Sequence, residues 1–202
     1  MKKIGLFWGS RTNNTKRSAY FMKSHLELQG FQVDMFDVAH ICIDKLLCYQ
    51  NIIIGCSTWH TGDLQKDWDR LFVDFSRSDF RGKTAAFFGC GDQYGRPNTF
   101  IDAVGILAKS FIQNGGTLVG RCDARQYCFE SSLAYDCGSM LGLALDYTNH
   151  KERCERQMLD WVYSLSFDFV WKNKLFLLHL LYHIYIDHQN HIKKYLYFLS
   201  FY

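Results

Sequence analysis

The feature of this sequence that most restricts its fold is the alternation of strand-like and helix-like segments. Short apolar runs predict strands at 4–8, 31–36, 51–56, 84–89 and 117–120. Between and after them, apolar residues at helical spacing predict helices at 16–28, 64–75, 100–113 and 152–165. Such repetition indicates an α/β fold in which helices cover both faces of a parallel sheet.

The chain length allows one domain with a short appendage. At 202 residues, it can bury a full core without metals or disulfides. The segment 140–145 continues the fifth strand after an interruption at 121–139. The formal net charge of +3 is too small and too evenly spread for a nucleic-acid surface, so no nucleic-acid partner is expected.

Three polar loops follow the first, third and fourth predicted strands. Because the carboxyl ends of parallel strands meet at one edge of a sheet, we expect these loops to converge on a ligand site. The first, residues 9–15, offers hydroxyls and backbone N–H groups at a helix N-terminus, which suits a phosphate. Ordinary helix capping would also explain such a loop.

The other two loops have features that suit a flat, polar ring system. In the loop 57–62, Trp59 shares the turn with Gly62 and could stack on an aromatic ligand, or it could be a half-buried core residue. The loop 89–95 combines three glycines with Asp92 and Gln93, so backbone and amide groups could contact a ring edge. The convergence of the three loops is stronger evidence than any one of them.

Four sequence segments together resemble the flavodoxin family. They are Lys3-Ile4-Gly5-Leu6-Phe7-Trp8-Gly9-Ser10, then Ile53-Ile54-Gly55-Cys56-Ser57-Thr58-Trp59 with Gly62-Asp63-Leu64-Gln65 and Asp67-Trp68, then Phe88-Gly89-Cys90-Gly91-Asp92-Gln93, and finally Gly142-Leu143-Ala144-Leu145-Asp146. The interruption of the fifth strand, with Tyr127, Phe129 and Ser131, resembles the insertion of long-chain flavodoxins. The resemblance covers residues 3 to 166 in order.

The resemblance implies a flavodoxin-like, doubly wound five-stranded sheet of order 2-1-3-4-5 and one non-covalently bound FMN. It implies a low-potential one-electron carrier, not an enzyme, that makes transient contacts with a reductase that donates electrons and with an acceptor enzyme. A monomer in the cytoplasm is expected. The FMN-binding residues that the resemblance implies are Ser10, Arg11, Thr12, Asn13, Asn14, Thr15, Thr58, Trp59, His60, Thr61, Gly62, Gly91, Asp92, Tyr94, Arg96, Asn98 and Asp146.

The implied roles follow the order of the loops. Residues 10–15 would hold the phosphate, Thr58 and Asp146 would lie near the ribityl chain, and Trp59 would stack on one face of the isoalloxazine ring. The loop 89–100 would run along the other face and the pyrimidine edge.

The sequence departs from the family at four places. Asn13 replaces the usual glycine of the phosphate loop, although Asn tolerates left-handed backbone well. Arg96 fills the place of the second stacking tyrosine, and Tyr94 is an alternative partner for that face. Pro97 stiffens the same loop. Finally, flavodoxins are typically acidic, whereas residues 1–166 are close to neutral.

Residues 167–202 form a tail with no resemblance to the family, so the chain divides into an FMN domain, 1–166, and an aromatic, apolar tail. The longest apolar run of the tail, 175–186, is too short to cross a bilayer. Three interpretations of the tail stay open. It could bind a metal through side chains spaced four residues apart, namely His179, His183, Asp187 and His191. It could instead form a helix that binds a membrane surface or a partner, or be an addition without selected function.

The cysteines and the N-terminus bear on the cellular compartment. The eight cysteines show no CxxC pair or zinc spacing, and buried free thiols are expected. The N-terminus leads directly into a strand, so no signal peptide is expected.

Two other functions are compatible with the same fold. One is an FMN-dependent NAD(P)H:quinone reductase. The other is a degenerate, flavin-free interaction module, which Asn13 and Arg96 would favour.

Overall fold

A computed structural model of the chain describes residues 2–171. Its central parallel sheet contains β1 (Lys3–Gly9), β2 (Gln32–Asp37), β3 (Asn51–Cys56), β4 (Thr84–Cys90) and β5 (Thr117–Val119) in the order β2-β1-β3-β4-β5. The predicted strand order is confirmed. The helices are α1 (Asn14–Leu28), α2 (Ile43–Leu47), α3 (Lys66–Arg77), α4 (Asp102–Gln113) and α5 (Lys151–Trp171).

The two faces of the sheet are covered by different helices. On β4, the Phe87 ring lies 5.7 Å from Phe111 of α4, whereas the next residue, Phe88, lies 6.3 Å from Trp161 of α5. Because successive side chains of a strand point to opposite faces, α4 and α5 cover opposite faces. Each buried Phe side chain contributes roughly 2–3 kcal/mol to folding.

The fifth strand is divided into two pieces that both pair with β4. β5 pairs with the first half of β4, and β9 (Leu143–Leu145) pairs with its end, from Phe88 to Cys90. Between them, β6 (Cys122–Asp123), β7 (Tyr135–Asp136) and β8 (Ser139–Met140) form a small antiparallel sheet of order β6-β8-β7. The predicted segment 140–145 was therefore too long, because Met140 belongs to the small sheet.

The helix α3 is fixed to the sheet by specific hydrogen bonds. Gln65 caps its N-terminus, where its Oε1 accepts from the N–H of Asp67 at 3.0 Å and of Trp68 at 3.3 Å. The buried Trp68 Nε1 donates to the Gly55 carbonyl of β3 at 2.9 Å. These bonds set the start of α3, and with it the end of the loop that contains Trp59.

The structure also bears on the predictions about cysteines, membrane-spanning helices and metal sites. All eight cysteines are free, but Cys42, Cys48, Cys128 and Cys137 are exposed, so the expectation of buried thiols was wrong for them. The described helices include none that is long and apolar enough to cross a membrane. Within residues 2–171, no group of three or more His, Cys, Asp or Glu side chains could hold a metal ion.

The division of the chain into domains stays a prediction. Contacts between Cα atoms separate two compact units, Met1–Ser166 and Phe167–Tyr202. α5 runs to Trp171, past its predicted end at 165. The proposed histidine motif of the tail lies outside the described residues.

Candidate functional site

Loops at the carboxyl ends of β1, β3, β4 and β9 surround one cavity of about 220 Å³. The topology places it where ligands are expected in open parallel sheets, at the change in strand order beside β1 and β3. Its lining residues are Thr12, Asn14, Ser57, Thr58, Trp59, His60, Cys90, Gly91, Asp92, Arg96, Thr99, Tyr147 and Thr148.

The first loop presents the N-terminus of α1 without a side-chain cap. Asn13 has φ 66° and ψ −5°, so it adopts the left-handed conformation that the usual glycine would take. No acidic residue occupies the first turn of α1, and the N-cap residue Asn13 makes no side-chain hydrogen bond to its N–H groups. Ser10 Oγ is buried and has no hydrogen-bond partner among the described residues. A free helix N-terminus of this kind favours an anion.

The hydroxyls of this loop differ in their surroundings. Thr12 lines the cavity, whereas Thr15 is almost completely buried and its Oγ1 donates a long bond to Cys90 Sγ at 3.7 Å. Burial raises the pKa of the Cys90 thiol to about 12, so the group stays protonated. A thioether or thiol sulfur is a weak acceptor, so the Thr15 hydroxyl is available to a better one.

Trp59 lines this cavity and also a second, larger one. Its Nε1 donates to Ser57 Oγ at 3.0 Å, and the Arg11 guanidinium carbon lies 5.0 Å from its ring centroid. The larger cavity, about 920 Å³, contains Ser10 and Arg11 in its lining. The hydrogen bond to Ser57 and the contact with the Arg11 charge therefore both stabilise this position of the indole ring.

The Trp59 loop is a tight turn with two residues at positive φ. The N–H and carbonyl groups of Trp59 and Asp63 pair as an isolated bridge, and the residues between them include His60 at φ 45° and Gly62 at φ 108°. Thr58 lines the cavity and its Oγ1 accepts from the Ala103 N–H at 3.2 Å. Thr61 is exposed and lies outside the lining.

The loop after β4 places Arg96, not Tyr94, at the cavity. The Tyr94 ring is 55% exposed and packs edge-on against His150 at 5.8 Å, with its hydroxyl 3.4 Å from His150 Nε2. Asp92 lines the cavity, as does Arg96. The pKa of Asp92 lies below its usual value because its carboxylate accepts hydrogen bonds from the Gly95 N–H, Asn149 and the Tyr94 N–H, and because the Arg96 charge is near. Asp92 is therefore a carboxylate.

Asp146 and Asn98 have structural roles at the edge of the site. Asp146 is only 3% exposed and accepts from backbone N–H groups, including that of Gln93 at 3.1 Å. The Asn98 carbonyl accepts from Ser131 Oγ at 2.6 Å, in the insertion. The neighbours of these two residues, Thr99, Tyr147 and Thr148, line the cavity instead.

The structure thus brings together about half of the expected site residues. Those in the lining are Thr12, Asn14, Thr58, Trp59, His60, Gly91, Asp92 and Arg96, and those outside it are Ser10, Arg11, Asn13, Thr15, Thr61, Gly62, Tyr94, Asn98 and Asp146. Five lining residues were not among the individually expected FMN contacts: Ser57, Cys90, Thr99, Tyr147 and Thr148. Ser57, Cys90 and Thr99 fall within the expected loops, whereas Tyr147 and Thr148, which follow β9 closely, were indicated by no expected role.

Comparison with known proteins identifies the family. The flavodoxin family model matches residues 6–161. The flavodoxin of Picosynechococcus is 39% identical over 166 residues, which are 82% of this chain and 97% of the relative. The Synechocystis flavodoxin is 40% identical over 167 residues, with 82% and 97% covered, and flavodoxin 1 of Escherichia coli is 35% identical over 164 residues, with 80% and 92% covered.

Solved structures support the same fold. The crystal structure of Fusobacterium nucleatum flavodoxin bound to flavin mononucleotide has a TM-score of 0.78, with 23% identity, 83% of this chain and 99% of that chain covered. Oxidised flavodoxin 2 of Bacillus cereus has a TM-score of 0.63, with 22% identity, 81% and 97% covered. Family model, sequence identity and sheet order agree, and the chain belongs to the flavodoxin family.

Proposed function

We propose that this chain carries one non-covalently bound FMN and transfers single electrons between a reductase and an acceptor enzyme. Flavodoxin relatives over most of the chain support this function, and one fold relative is bound to flavin mononucleotide. Such a protein transfers electrons without a substrate of its own. FMN supplies the redox chemistry, and the protein sets its potentials.

The proposal rests on one observation: a loop that suits a phosphate and an aromatic side chain that suits a flavin ring border the same cavity. The uncapped N-terminus of α1, with the unpartnered Ser10 Oγ, suits the phosphate. In the lining of the cavity, Trp59 offers an aromatic face. Thr12 and Asn14 line the same cavity as Trp59, so the two halves belong to one site.

The two departures that favoured a flavin-free module are compatible with FMN. Asn13 adopts the left-handed conformation that the phosphate loop needs. Arg96 lines the cavity in the place of the usual second tyrosine. We therefore advance no second function.

A test against the quinone reductase alternative uses the purified, FMN-loaded protein. With NADPH and a quinone alone, we expect no NADPH oxidation above the uncatalysed rate. When a separate NADPH-dependent flavoprotein reductase is added, we expect electrons to pass through the protein to cytochrome c. Rapid NADPH oxidation by the protein alone would overturn the carrier proposal.

His60 should tune the uptake of the first electron. By resemblance to flavodoxins, we expect the peptide after Trp59 to turn its carbonyl toward flavin N5 when the first electron enters. His60 has φ 45°, which is uncommon for a non-glycine residue, and a turned conformer in a backbone region open only to glycine should cost about 1 kcal/mol more. His60→Gly should therefore raise the first one-electron potential by about 40 mV.

Thr61→Gly is the matched control, since it gives the same loop equal freedom one residue later. It should change the first potential much less than His60→Gly does. A potential that stays constant or falls in His60→Gly would contradict the assigned role of His60.

The tail should be dispensable for FMN binding. The relatives align over 164–168 residues, which make up 92–98% of their own length, so their fold is complete without a counterpart of most of the tail. We expect a chain that ends at Ser166 to fold and retain FMN in a one-to-one ratio. A control chain that ends at Trp171, the last described residue of α5, should do the same. Insoluble or flavin-free protein from the shorter chain would show that the proposed boundary is wrong.

A further inference from the structure

Asn149 joins two carboxylates that belong to different loops. It lies between β9 and α5, and its Nδ2 is 2.8 Å from Asp92 Oδ1, 3.1 Å from Asp146 Oδ1 and 2.9 Å from Asp146 Oδ2. Asp92 follows β4, whereas Asp146 follows β9. One neutral amide therefore ties together the two strand ends that border the cavity on this side.

Each of the two carboxylates organises its own loop. Asp92 Oδ1 accepts from the N–H groups of Gly95 at 2.7 Å and Tyr94 at 3.2 Å. Asp146 accepts from the N–H groups of Thr148 at 3.1 Å and Asn149 at 3.0 Å. These partners are all donors, as ionised carboxylates require.

The Asn149 amide offsets the repulsion between the carboxylates. Two like charges at the edge of a protein are destabilised unless donors lie between them. Asn149 supplies N–H donors to both and adds no charge of its own. If the amide is removed, the Asp92 carboxylate loses its link to the Asp146 loop, while the bonds from the flanking Gly91 and Gln93 N–H groups to Leu145 and Asp146 remain.

The Asp92 turn determines where Arg96 lies. The Arg96 N–H donates to the Asp92 carbonyl at 3.0 Å, and Arg96 lines the cavity. Beyond Arg96, the Pro97 carbonyl accepts from the N–H groups of Glu130 at 2.9 Å and Ser131 at 3.0 Å, in the insertion. The insertion thus anchors one end of the Arg96 loop. At the other end, Asn149 holds the Asp92 carboxylate, and the Gln93 N–H bond to Asp146 holds the backbone beside it.

From this geometry we infer that Asn149 is a positioning residue of the FMN site, which fixes the turn from Asp92 to Arg96 and thereby the place of the Arg96 charge beside the ring. The inference rests on the proposed function. A positive charge beside the ring stabilises the two-electron-reduced cofactor, which is negatively charged. When Arg96 is less well placed, the second electron enters at a more negative potential.

The experiment is an electrochemical titration of the full chain loaded with FMN. Asn149→Ala should lower the equilibrium constant for uptake of the second electron at least threefold, or about 28 mV at 59 mV per tenfold change. The matched control is Asn114→Ala, at an amide that also makes two strong bonds, to the Ser76 carbonyl at 3.0 Å and the Ser110 carbonyl at 2.9 Å, and lies outside the cavity lining. It should leave the potential unchanged.

A double variant separates positioning from a general loss of stability. In an Arg96→Gln background, Asn149→Ala should cause no further shift, because the charge that it positions is gone. If Asn149→Ala does not fold, Asn149→Ser, which retains one donor, should give a smaller shift in the same direction.

Two results would overturn the role of Asn149. One is a potential that shifts no more in Asn149→Ala or Asn149→Ser than in Asn114→Ala. The other is a shift of the same size with and without Arg96. Failure of the unchanged chain to bind FMN would instead contradict the proposed function.

Discussion

Replacement of Thr12 and Thr15 together by alanine should weaken FMN binding by about 2–4 kcal/mol, or roughly 30- to 1000-fold in Kd. Each hydroxyl would donate one charge-assisted hydrogen bond to the phosphate, at about 1–2 kcal/mol per bond. Thr12 lines the cavity, and the only bond recorded for the Thr15 side chain within residues 2–171 is the weak one to Cys90 Sγ. Fluorescence titration of the apoprotein with FMN measures the loss.

Riboflavin and the serine variant are the controls for this prediction. Riboflavin lacks the phosphate, so the double alanine variant should bind it as tightly as the unchanged protein does. Thr12→Ser with Thr15→Ser retains both hydroxyls and should keep FMN affinity within a few-fold of the original. An unchanged affinity for FMN, or an equal loss for riboflavin, would show that the phosphate does not bind at residues 10–15.

Arg96→Tyr should make the second electron harder to add. Arg96 lines the cavity, whereas Tyr94 packs against His150, so the structure favours Arg96 as the residue beside the ring. At about 6 Å and an effective dielectric constant near 20, two unit charges interact by roughly 2.8 kcal/mol. This energy sets a ceiling of about 120 mV on the change. We expect the second potential to fall by tens of millivolts, measured by redox titration with absorbance detection.

The control must change the net charge without changing the site. Arg125→Tyr does so, because the Arg125 side chain is 90% exposed, pairs with Asp123 and lies in the insertion outside the cavity lining. Its second potential should stay within a few millivolts of the original at moderate ionic strength, since exposed charges are screened beyond about 10 Å. Equal potentials in Arg96→Tyr and the unchanged protein would mean that Arg96 points away from the ring.

The sheet could be predicted because its physical causes are local. β3 is a continuous run that includes Ile52, Ile53 and Ile54, all buried, and its bounds agree with the prediction. The loops after β1, β3 and β4 converge as expected, because parallel strands end at one edge. The family resemblance then gave the strand order.

Side-chain directions within the loops could not be predicted in the same way. The Asp146 carboxylate points inward because it accepts a hydrogen bond from the Gln93 N–H, in the loop after β4. Thr148, two residues later, lines the cavity instead. Tyr94 points away because His150, in a loop distant in sequence, offers it a partner. Such directions depend on tertiary partners, which spacing along the chain does not reveal.

Short and irregular elements were missed for related reasons. α2 has only five residues, too few for a helical pattern to be recognised, and the strands of the small sheet have two residues each. α5 continues beyond 165 because no Gly or Pro follows to end it before Trp171.

The absorption spectrum of the purified protein, followed by acid precipitation, shows directly whether this chain carries FMN. We expect a yellow protein with flavin absorption bands and one FMN per chain, all of it released into the supernatant as FMN, not riboflavin or a dinucleotide. A colourless protein that takes up no added FMN, or a flavin that stays with the precipitate, would contradict non-covalent FMN binding by this chain.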